Sequence, residues 1–347
     1  MKKIIALAVL TAISAASAAT AAPHGHGLRP DAALVVTASN TASNQLLVYD
    51  TKGRLLNTIP TDGQGGVSGN AGGIASTRDL LAVVNFGSGN VSLFRYDTAR
   101  RVIHLEQVVQ ALGSPVSVAF GNQHLYILTT TGVESHAIRQ DAVASTADGS
   151  TALLHADGSA AQVGVVDDHL VLTEKSNAIE TVALNADGAL AGAATLASNI
   201  PTNVNAPFGL ATRGNDAYVT IAHANEISLV RDGTVLAVTG SGGQQAPCWV
   251  ALDGPFLFSA NSPSQTVSRY AVYGQKIVLD NEVVAKFAGK PTDIDYRAGV
   301  AAVIDSDGTV SHVSVFAVDE DGNLTLSASP TINNKATNGV QVLTSQY

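Results

Sequence analysis

Apolar and polar residues alternate along many short segments of this chain. In two of the clearest segments, a single serine separates Val91 from Leu93 and Val313 from Val315. This period of two is the pattern of a half-buried β-strand. Turns rich in Gly, Ser and Asn separate the segments, and the 3.6-residue period of helices is nearly absent. The pattern therefore predicts an all-β chain.

One unit of sequence recurs along the whole chain. It consists of an apolar strand, a turn, a second apolar strand, a polar turn and a third, alternating strand. The second strands are predicted at Leu34–Thr37, Leu81–Val84, Leu125–Leu128, Leu170–Thr173, Ala217–Thr220, Leu257–Ala260 and Ala301–Ile304. Their starts are 40 to 47 residues apart, which is the size of a four-stranded propeller blade. The repeat predicts a seven-bladed β-propeller over residues 31–347.

The repeating units do not begin and end where the chain does, because the chain starts with a second strand and ends with a first strand. The first strands are predicted at Gly73–Ser76, Val116–Phe120, Gln162–Val166, Gly209–Thr212, Trp249–Leu252, Asp293–Tyr296 and Val340–Thr344. The propeller therefore opens on a second strand and closes on a first strand. This phase predicts that the C-terminal strand pairs with the N-terminal blade and closes the ring, which leaves no open sheet edge.

The first residues are typical of a secretory signal. Lys2 and Lys3 precede the apolar run Ile4–Leu10, and Ala19-Thr20-Ala21 fits the small-residue cleavage site. We expect a signal peptide over residues 1–21, a flexible segment over 22–30, and a protein secreted to the periplasm or the extracellular space. The apolar run is shorter than the roughly 20 residues that a membrane-spanning helix needs, so no membrane span is predicted.

Composition limits the classes of partner. The chain has 28 acidic and 19 basic residues, for a net charge of −9, and an acidic protein is repelled by a phosphate backbone. We expect no nucleic-acid binding and no cofactor. We expect a monomer whose partner is a small molecule or another protein. The single Cys248 excludes an intrachain disulfide.

Polar side chains follow the second strands, where the polypeptide reaches one rim of the predicted channel. The aligned positions are Asn85, Thr129, Glu174, Ile221, Asn261 and Asp305. Asn and Asp also suit turns for purely structural reasons, whereas turns seldom use Glu. We predict Glu174 and Asp305 as catalytic acids. We predict Asn85, Asn261, Thr129 and His223 as substrate-binding residues.

The sequence supports metal and anion sites less well than it supports the catalytic and substrate-binding residues above. The nine histidines are scattered with no cluster of ligand spacing, so no metal site is predicted. His24-Gly25-His26, beyond the predicted cleavage site, admits copper or nickel binding but fits a flexible tail better. The Gly-rich segment Gly63–Asn70 has two interpretations, a backbone cradle for an anion and a mobile loop.

Several segments resemble the exported lactonase-like propellers, which are similar to bacterial 6-phosphogluconolactonase and fungal carboxymuconate-lactonizing enzyme. The resemblance rests on Ala206–Ala211, Gln245–Ala251, Ser259–Asn261, Thr266–Tyr270 and Leu172–Asn177. It implies a propeller with a site on its top face that opens or closes a lactone. The enzymatic relatives use His and Arg around the channel, often just after the proline that precedes a first strand. Here those places hold Val116-Ser117, Phe208-Gly209, Cys248-Trp249 and Thr292-Asp293.

Three functions remain open. The first is hydrolysis of a neutral lactone, or the reverse cyclisation, with Glu174 and Asp305 as general bases for water attack. The second is a non-enzymatic extracellular binding or interaction propeller. The third is binding of a cation by the acidic rim.

Overall fold

The computed structural model describes residues 33–201 and 206–344. The predicted signal peptide and the segment 22–30 lie outside the described residues. Within them the chain forms β-strands and two short 3₁₀ turns, Phe86–Ser88 and Ala222–Ala224, and no α-helix. None of the described segments is a helix long and apolar enough to cross a membrane.

The strands form seven small antiparallel sheets, and each sheet is one blade of a propeller. Blade 1 begins with β1 (Leu34–Ala38), β2 (Gln45–Asp50) and β3 (Leu55–Pro60). Blade 2 contains β4 (Ile74–Thr77), β5 (Leu80–Asn85), β6 (Asn90–Asp97) and β7 (Val102–Gln110). Blade 3 contains β8 (Pro115–Gly121), β9 (His124–Thr129), β10 (Gly132–Arg139), β11 (Ala142–Val143) and β12 (Gly149–Ala152). Blade 4 contains β13 (Ala160–Val166), β14 (His169–Glu174), β15 (Ala178–Ala183) and β16 (Thr195–Leu196).

The remaining strands complete the ring. Blade 5 contains β17 (Pro207–Arg213), β18 (Asp216–Ile221), β19 (Glu226–Arg231) and β20 (Thr234–Gly240). Blade 6 contains β21 (Pro247–Asp253), β22 (Phe256–Asn261), β23 (Thr266–Tyr273) and β24 (Lys276–Lys286). Blade 7 contains β25 (Lys290–Arg297), β26 (Val300–Ser306), β27 (Ser311–Val318), β28 (Leu324–Ala328) and β29 (Thr331–Ile332). The last strand, β30 (Asn338–Leu343), returns to blade 1.

The return of β30 confirms the predicted closure of the ring. It pairs antiparallel with β1, with Val35 opposite Val342 and Thr37 opposite Val340. The hydroxyl of Thr37 donates to the carbonyl of Gly339 at 2.7 Å. The chain therefore supplies the innermost strand of blade 1 from its C-terminal end and the other three strands from its N-terminal end.

Tight turns join the first and second strands of the blades. The turn between β8 and β9 contains Asn122 and Gln123 at φ of 46° and 57°, and the turn between β25 and β26 contains Ala298 and Gly299 at 50° and 78°. Two successive residues at positive φ form the type I′ turn, whose twist matches that of the strands it connects. These turns lie on the bottom face, and the innermost strands begin on the opposite, top face.

The core lies between neighbouring blades, because each blade presents one apolar face to the next. Leu81 and Phe94 of blade 2 pack with Leu34 and Val36 of blade 1 in one cluster of buried residues. At ~25 cal/mol per Å² of buried apolar surface, such clusters are the main stabilising contribution of the fold. Successive side chains of a strand point to opposite faces of its blade, so they pack alternately against the two neighbouring blades.

Candidate active site

The innermost strands surround a narrow polar channel of about 270 Å³. Its lining includes two carboxyl groups from β25. The N–H of Val340 donates to Asp293 Oδ2 at 2.9 Å, and the N–H of Val342 donates to Asp295 Oδ2 at 2.7 Å. Burial raises the pKa of Asp293 to about 7 and also raises the pKa of Asp295. These carboxyl groups connect blade 7 to the closing strand.

The Gly-rich segment crosses the top of this channel. The indole N–H of Trp249 in blade 6 donates to the carbonyl of Asn70 at 3.1 Å, and Asn70 Nδ2 donates to the carbonyl of Val116 in blade 3 at 2.6 Å. The N–H of Ala71 donates to the carbonyl of Ala161 in blade 4 at 3.1 Å. We call residues 69–73 the hub loop, because they contact innermost strands on different sides of the ring.

The first part of the Gly-rich segment is bound to the fold. The N–H groups of Gly66 and Val67 donate to Asn40 Oδ1 at 2.7 and 3.0 Å. The N–H of Gly65 donates to the carbonyl of Thr41 at 2.7 Å. These three N–H groups therefore donate to the segment that follows β1 and not to a ligand. The anion-binding cradle stays a prediction, without support from these contacts.

Asn85, a predicted substrate-binding residue, lies fully buried between blades 1 and 2. Its Nδ2 donates to Asn90 Oδ1 at 2.8 Å and to Ser92 Oγ at 2.7 Å. Its Oδ1 accepts from Asn44 Nδ2 at 2.9 Å and from Thr61 Oγ1 at 2.7 Å. All four hydrogen bonds that an amide side chain makes are used inside the protein.

Asn261 and Thr129 occupy the same position in their blades and are also buried. Asn261 Nδ2 donates to Ser268 Oγ at 2.7 Å and to Thr266 Oγ1 at 3.2 Å. Thr129 Oγ1 closes its own turn by donating to the carbonyl of Gly132 at 2.9 Å. Substrate binding by these side chains stays a prediction, and their hydrogen bonds here are structural.

The other two predicted residues lie in blades 7 and 5. Asp305 is 2% exposed, accepts from the N–H of Gly289 at 3.1 Å, and lies 3.3 Å from His312 Nδ1. Burial raises the pKa of Asp305, and the neighbouring His312 opposes that shift. His223 is exposed on the 3₁₀ turn that follows β18. The structure therefore gives Asp305 local partners of its own, none of them shared with Glu174 among the described residues.

Glu174 lies beside a second buried carboxyl group, that of Glu180, and both side chains are fully buried. The oxygens of Glu180 accept from the N–H of Leu154 at 3.0 and 3.2 Å. Neither oxygen of Glu174 has a hydrogen-bond partner among the described residues. Burial, together with the Glu174 carboxyl, raises the pKa of Glu180. A buried carboxylate without hydrogen bonds is costly, so this pair is unusual in the molecule.

An imidazole connects the pair to solvent. His155 Nδ1 lies 3.2 Å from Glu174 Oε2, and the His155 side chain is 43% exposed. The same ring nitrogen lies 3.1 Å from Ser176 Oγ, so the hydroxyl and the carboxylate share one nitrogen and form no serine relay. One donor atom from each of His155, Glu174 and Glu180 lies within 4.8 Å of the others. We call these three residues the blade 4 cluster.

The repeat shows what is particular to blade 4. Strand register places Glu180 opposite Leu172, as Ser92 lies opposite Val83 and Ser268 opposite Ser259. The corresponding neutral pairs elsewhere are Asn85 with Ser92 and Asn261 with Ser268, each joined at 2.7 Å. Blade 4 has two carboxyl groups where these blades have an amide and a hydroxyl.

A cation also lies at the top face. Lys175 Nζ donates to the carbonyls of Gly69 at 2.6 Å and Ala160 at 3.3 Å. It lies 5.9 Å from the centre of the Phe208 ring, and burial lowers the pKa of Lys175. No His or Arg stands at the four places after the prolines that precede first strands, and this lysine belongs to the turn after β14. The structure places this cation beside the hub loop, next in sequence to Glu174.

A cavity larger than the channel lies away from this cluster. It has a volume of about 590 Å³ and lies among bottom-face turns, including Arg78, Asp79 and Arg95. Arg95 forms ion pairs with Asp79 and, at 3.0 Å, with Glu106. Its guanidinium is therefore already neutralised by protein carboxylates.

Glu174 is a catalytic residue by prediction from the sequence, whereas its two neighbours, His155 and Glu180, are not among the predicted residues. His155 lies in the connection between blades 3 and 4, where no period marks its direction. Glu180 had a detectable signal, since it occupies a third-strand position that is serine in blades 2, 5, 6 and 7. Blade 3 also has a buried glutamate, Glu134, at this position, so what distinguishes blade 4 is the second carboxyl group, Glu174, beside it.

Comparisons with known proteins bear on the fold. No family model and no curated protein matches the chain. Among solved structures, a protein of Bacteroides uniformis assigned provisionally as a 6-phosphogluconolactonase has a TM-score of 0.65 and 14% identity, over 90% of this chain and 99% of that one. The periplasmic gluconolactonase of Pseudomonas aeruginosa has a TM-score of 0.65 and 15% identity, over the same shares. The chain has the fold of the lactonase-like seven-bladed propellers.

Proteins that are not named as lactonases have the same fold. A hypothetical selenium-binding protein of Sulfolobus tokodaii has a TM-score of 0.64 and 12% identity, over 90% of this chain and 93% of that one. At such identities the likeness shows the architecture alone. The function of this propeller therefore depends on its own side chains.

Proposed function

We propose that this propeller hydrolyses a neutral lactone at the top face, beside blade 4. The observation that carries the proposal is Glu174, a fully buried carboxylate without a hydrogen bond among the described residues, in contact with the half-exposed His155. Buried carboxyl groups beside an accessible imidazole are typical of acid–base sites.

The chemistry needs a group that activates water. In the simplest route, the oxygen of a water molecule attacks the lactone carbonyl carbon, and its proton passes to His155 while Glu174 stabilises the imidazolium. The ring C–O bond then breaks, and the leaving alkoxide takes a proton back from His155. The products are a carboxylic acid and an alcohol, and the residues return to their starting state.

The charges of the site support a neutral substrate. Lys175 is the cation nearest in sequence to the cluster, and it is available to stabilise a developing oxyanion. Its ammonium bonds to the carbonyl of Gly69, which places it at the top face. Against it stand the carboxylate of Glu174 and the overall charge of −9, which disfavour phosphorylated or carboxylated lactones.

The test is hydrolysis of a panel of neutral γ- and δ-lactones by the wild-type protein and by Glu174→Gln. We expect the substitution to lower kcat by about 100-fold or more. Glu134→Gln is the matched control, because Glu134 is an equally buried glutamate that accepts from the N–H of Leu112 at 3.2 Å. Wild-type rates at the background level, or equal rates in wild type and Glu174→Gln, would exclude hydrolysis and favour the non-enzymatic binding function.

We also propose that the protein is exported. The support is the signal-like sequence from Lys2 to Ala21, which lies outside the described residues. Expression of the full chain in a bacterial host, followed by N-terminal sequencing of the periplasmic or medium fraction, tests this. A mature chain that begins after Ala21 is expected. A cytoplasmic protein that retains Met1 would contradict export.

A further inference from the structure

We infer that the blade 4 cluster binds a divalent metal ion, Mn²⁺ or Zn²⁺, through Glu174, Glu180 and His155. Ion binding itself follows from the geometry of the cluster. The catalytic role argued below deepens the proposed function and rests on it.

The first argument is the unsatisfied carboxylate. Glu174 is fully buried, and neither of its oxygens has a hydrogen-bond partner among the described residues. Buried carboxylates elsewhere in the fold are bonded, as Asp293 is to the N–H groups of Ile294 and Val340, each at 2.9 Å. Glu174 Oε2 lies 3.2 Å from His155 Nδ1, and the two carboxyl groups are close enough to share a proton. Since buried polar groups are nearly always paired, the carboxyl pair needs that proton or a cation, and a divalent metal ion would bind both carboxylates.

The second argument comes from the repeat. Amide and hydroxyl side chains satisfy each other at this place in blades 2 and 6, with Asn85 and Asn261 as the donors. Two carboxylates do not satisfy each other, because both offer only acceptors when ionised. They need either one shared proton or a cation between them. A half-exposed imidazole at the same point adds a third metal ligand, which proton sharing does not require.

The third argument is the donor set. One donor atom of each residue lies within 4.8 Å of the others, about twice the ~2.0–2.2 Å bonds of Zn²⁺ to carboxylate and imidazole. Two carboxylates and one imidazole suit Zn²⁺ and Mn²⁺. An ion of charge +2 also balances the two carboxylates. Three protein ligands leave at least one coordination position for water, as in catalytic metal sites.

The ion would also activate water for the proposed reaction. A bound divalent metal lowers the pKa of its water and polarises a carbonyl oxygen. Glu174, Glu180 and His155 would hold the ion, which would supply a water of lowered pKa for attack on the lactone carbonyl carbon. The proton given up by that water would pass to the alkoxide when the ring C–O bond breaks. His155 is then a ligand, and the metal takes over the activation of water described above.

The experiment measures binding without reference to activity. Full-length protein carrying His24→Ala and His26→Ala, which removes the N-terminal histidines as competing ligands, is treated with a chelator and dialysed. Mn²⁺ binding is followed by electron paramagnetic resonance and Zn²⁺ binding by calorimetry. We expect one ion per chain.

Variants identify the site. Glu174→Gln, Glu180→Gln and His155→Ala are each expected to weaken binding by about 100-fold or more, whereas Glu134→Gln binds like the parent protein. His155 is 43% exposed, so His155→Ala tests the site even if a glutamate variant folds poorly. Absence of binding below millimolar ion, or unchanged binding by His155→Ala, would overturn the inference and leave a shared proton between the glutamates.

Activity separates the two proposals. Ion binding without lactone turnover would support the site and contradict the proposed function. Turnover that survives chelation in a protein that binds no ion would support the function and contradict the metal site.

Discussion

At the scale of single residues, most buried polar side chains in the described part of this fold are hydrogen-bonded inside the protein, within one blade or between neighbouring blades. The rim residue Asn85 shows this best, since its amide makes four hydrogen bonds inside the protein. Glu174 is the contrast, with no hydrogen-bond partner among the described residues. A functional site is therefore expected where a buried polar side chain lacks hydrogen bonds. An aligned position in the repeat does not by itself mark a site.

Asp293 gives a prediction for pH dependence. Burial raises the pKa of Asp293 to about 7, so between pH 4 and pH 7 the folded protein holds a proton that the unfolded chain has lost. Stability from this group is therefore largest at low pH and falls as pH rises, by at most about 1.4 kcal/mol per pH unit. Urea unfolding of wild type and Asp293→Asn between pH 4 and pH 8 measures it.

We expect the free energy of unfolding of Asp293→Asn to fall less steeply over that interval than that of wild type. The control is Asp97→Asn, because hydrogen bonds from Arg100 lower the pKa of Asp97, so this carboxylate titrates below the interval. A constant difference between wild type and Asp293→Asn at every pH would contradict the assignment.

At the scale of elements, the strands were predictable and the partners of the candidate site were not. The predicted first strand Gln162–Val166 is observed as Ala160–Val166, and the predicted second strand Leu170–Thr173 as His169–Glu174. Alternation and repeat spacing carry this information because every blade obeys the same packing rule. One partner of Glu174, His155, lies in an irregular connection whose path the repeat does not encode.

The hub loop illustrates the same limit. A glycine-rich composition is compatible with a mobile segment and with a fixed one, because glycine permits both. What fixes this loop is contact with residues far away in sequence, such as Trp249. Gly72 in the same loop needs to be glycine, because its φ is 61° and an added Cβ would lie 2.9 Å from Ser117 Oγ.

At the scale of the whole molecule, closure by β30 determines whether the ring is stable. The strand covers the inner edge of β1 and supplies N–H donors to Asp293 and Asp295. The C-terminal position of this strand was readable from the sequence, because only a first strand at the end of the chain completes seven full units.

Removing residues 340–347 should therefore abolish cooperative folding. We expect loss of the sharp thermal transition and of the near-ultraviolet circular dichroism signal, because the edge of β1 and the cluster around Val35 become exposed. A truncated chain that melts like wild type would contradict closure at this seam.

A matched pair of point variants controls for the truncation. Val342 is fully buried in β30, whereas Leu326 is 57% exposed in β28. Val342→Asp should destabilise the ring strongly, and Leu326→Asp should have little effect on the melting temperature. Equal effects of the two variants would argue against a special role for the seam.

The hub loop also limits how a small molecule can reach the axis of the propeller. Because peptide covers the axis on the upper side, the propeller is not a tube, and a solute approaching from above meets the exposed residues Ser68 and Gly69, with Asn70 and Ala71 buried beneath them. A ligand on this face would then be held off-centre, at the margin of individual blades. Its selectivity would be set by the side chains of one blade, and blade 4 is the one that we propose.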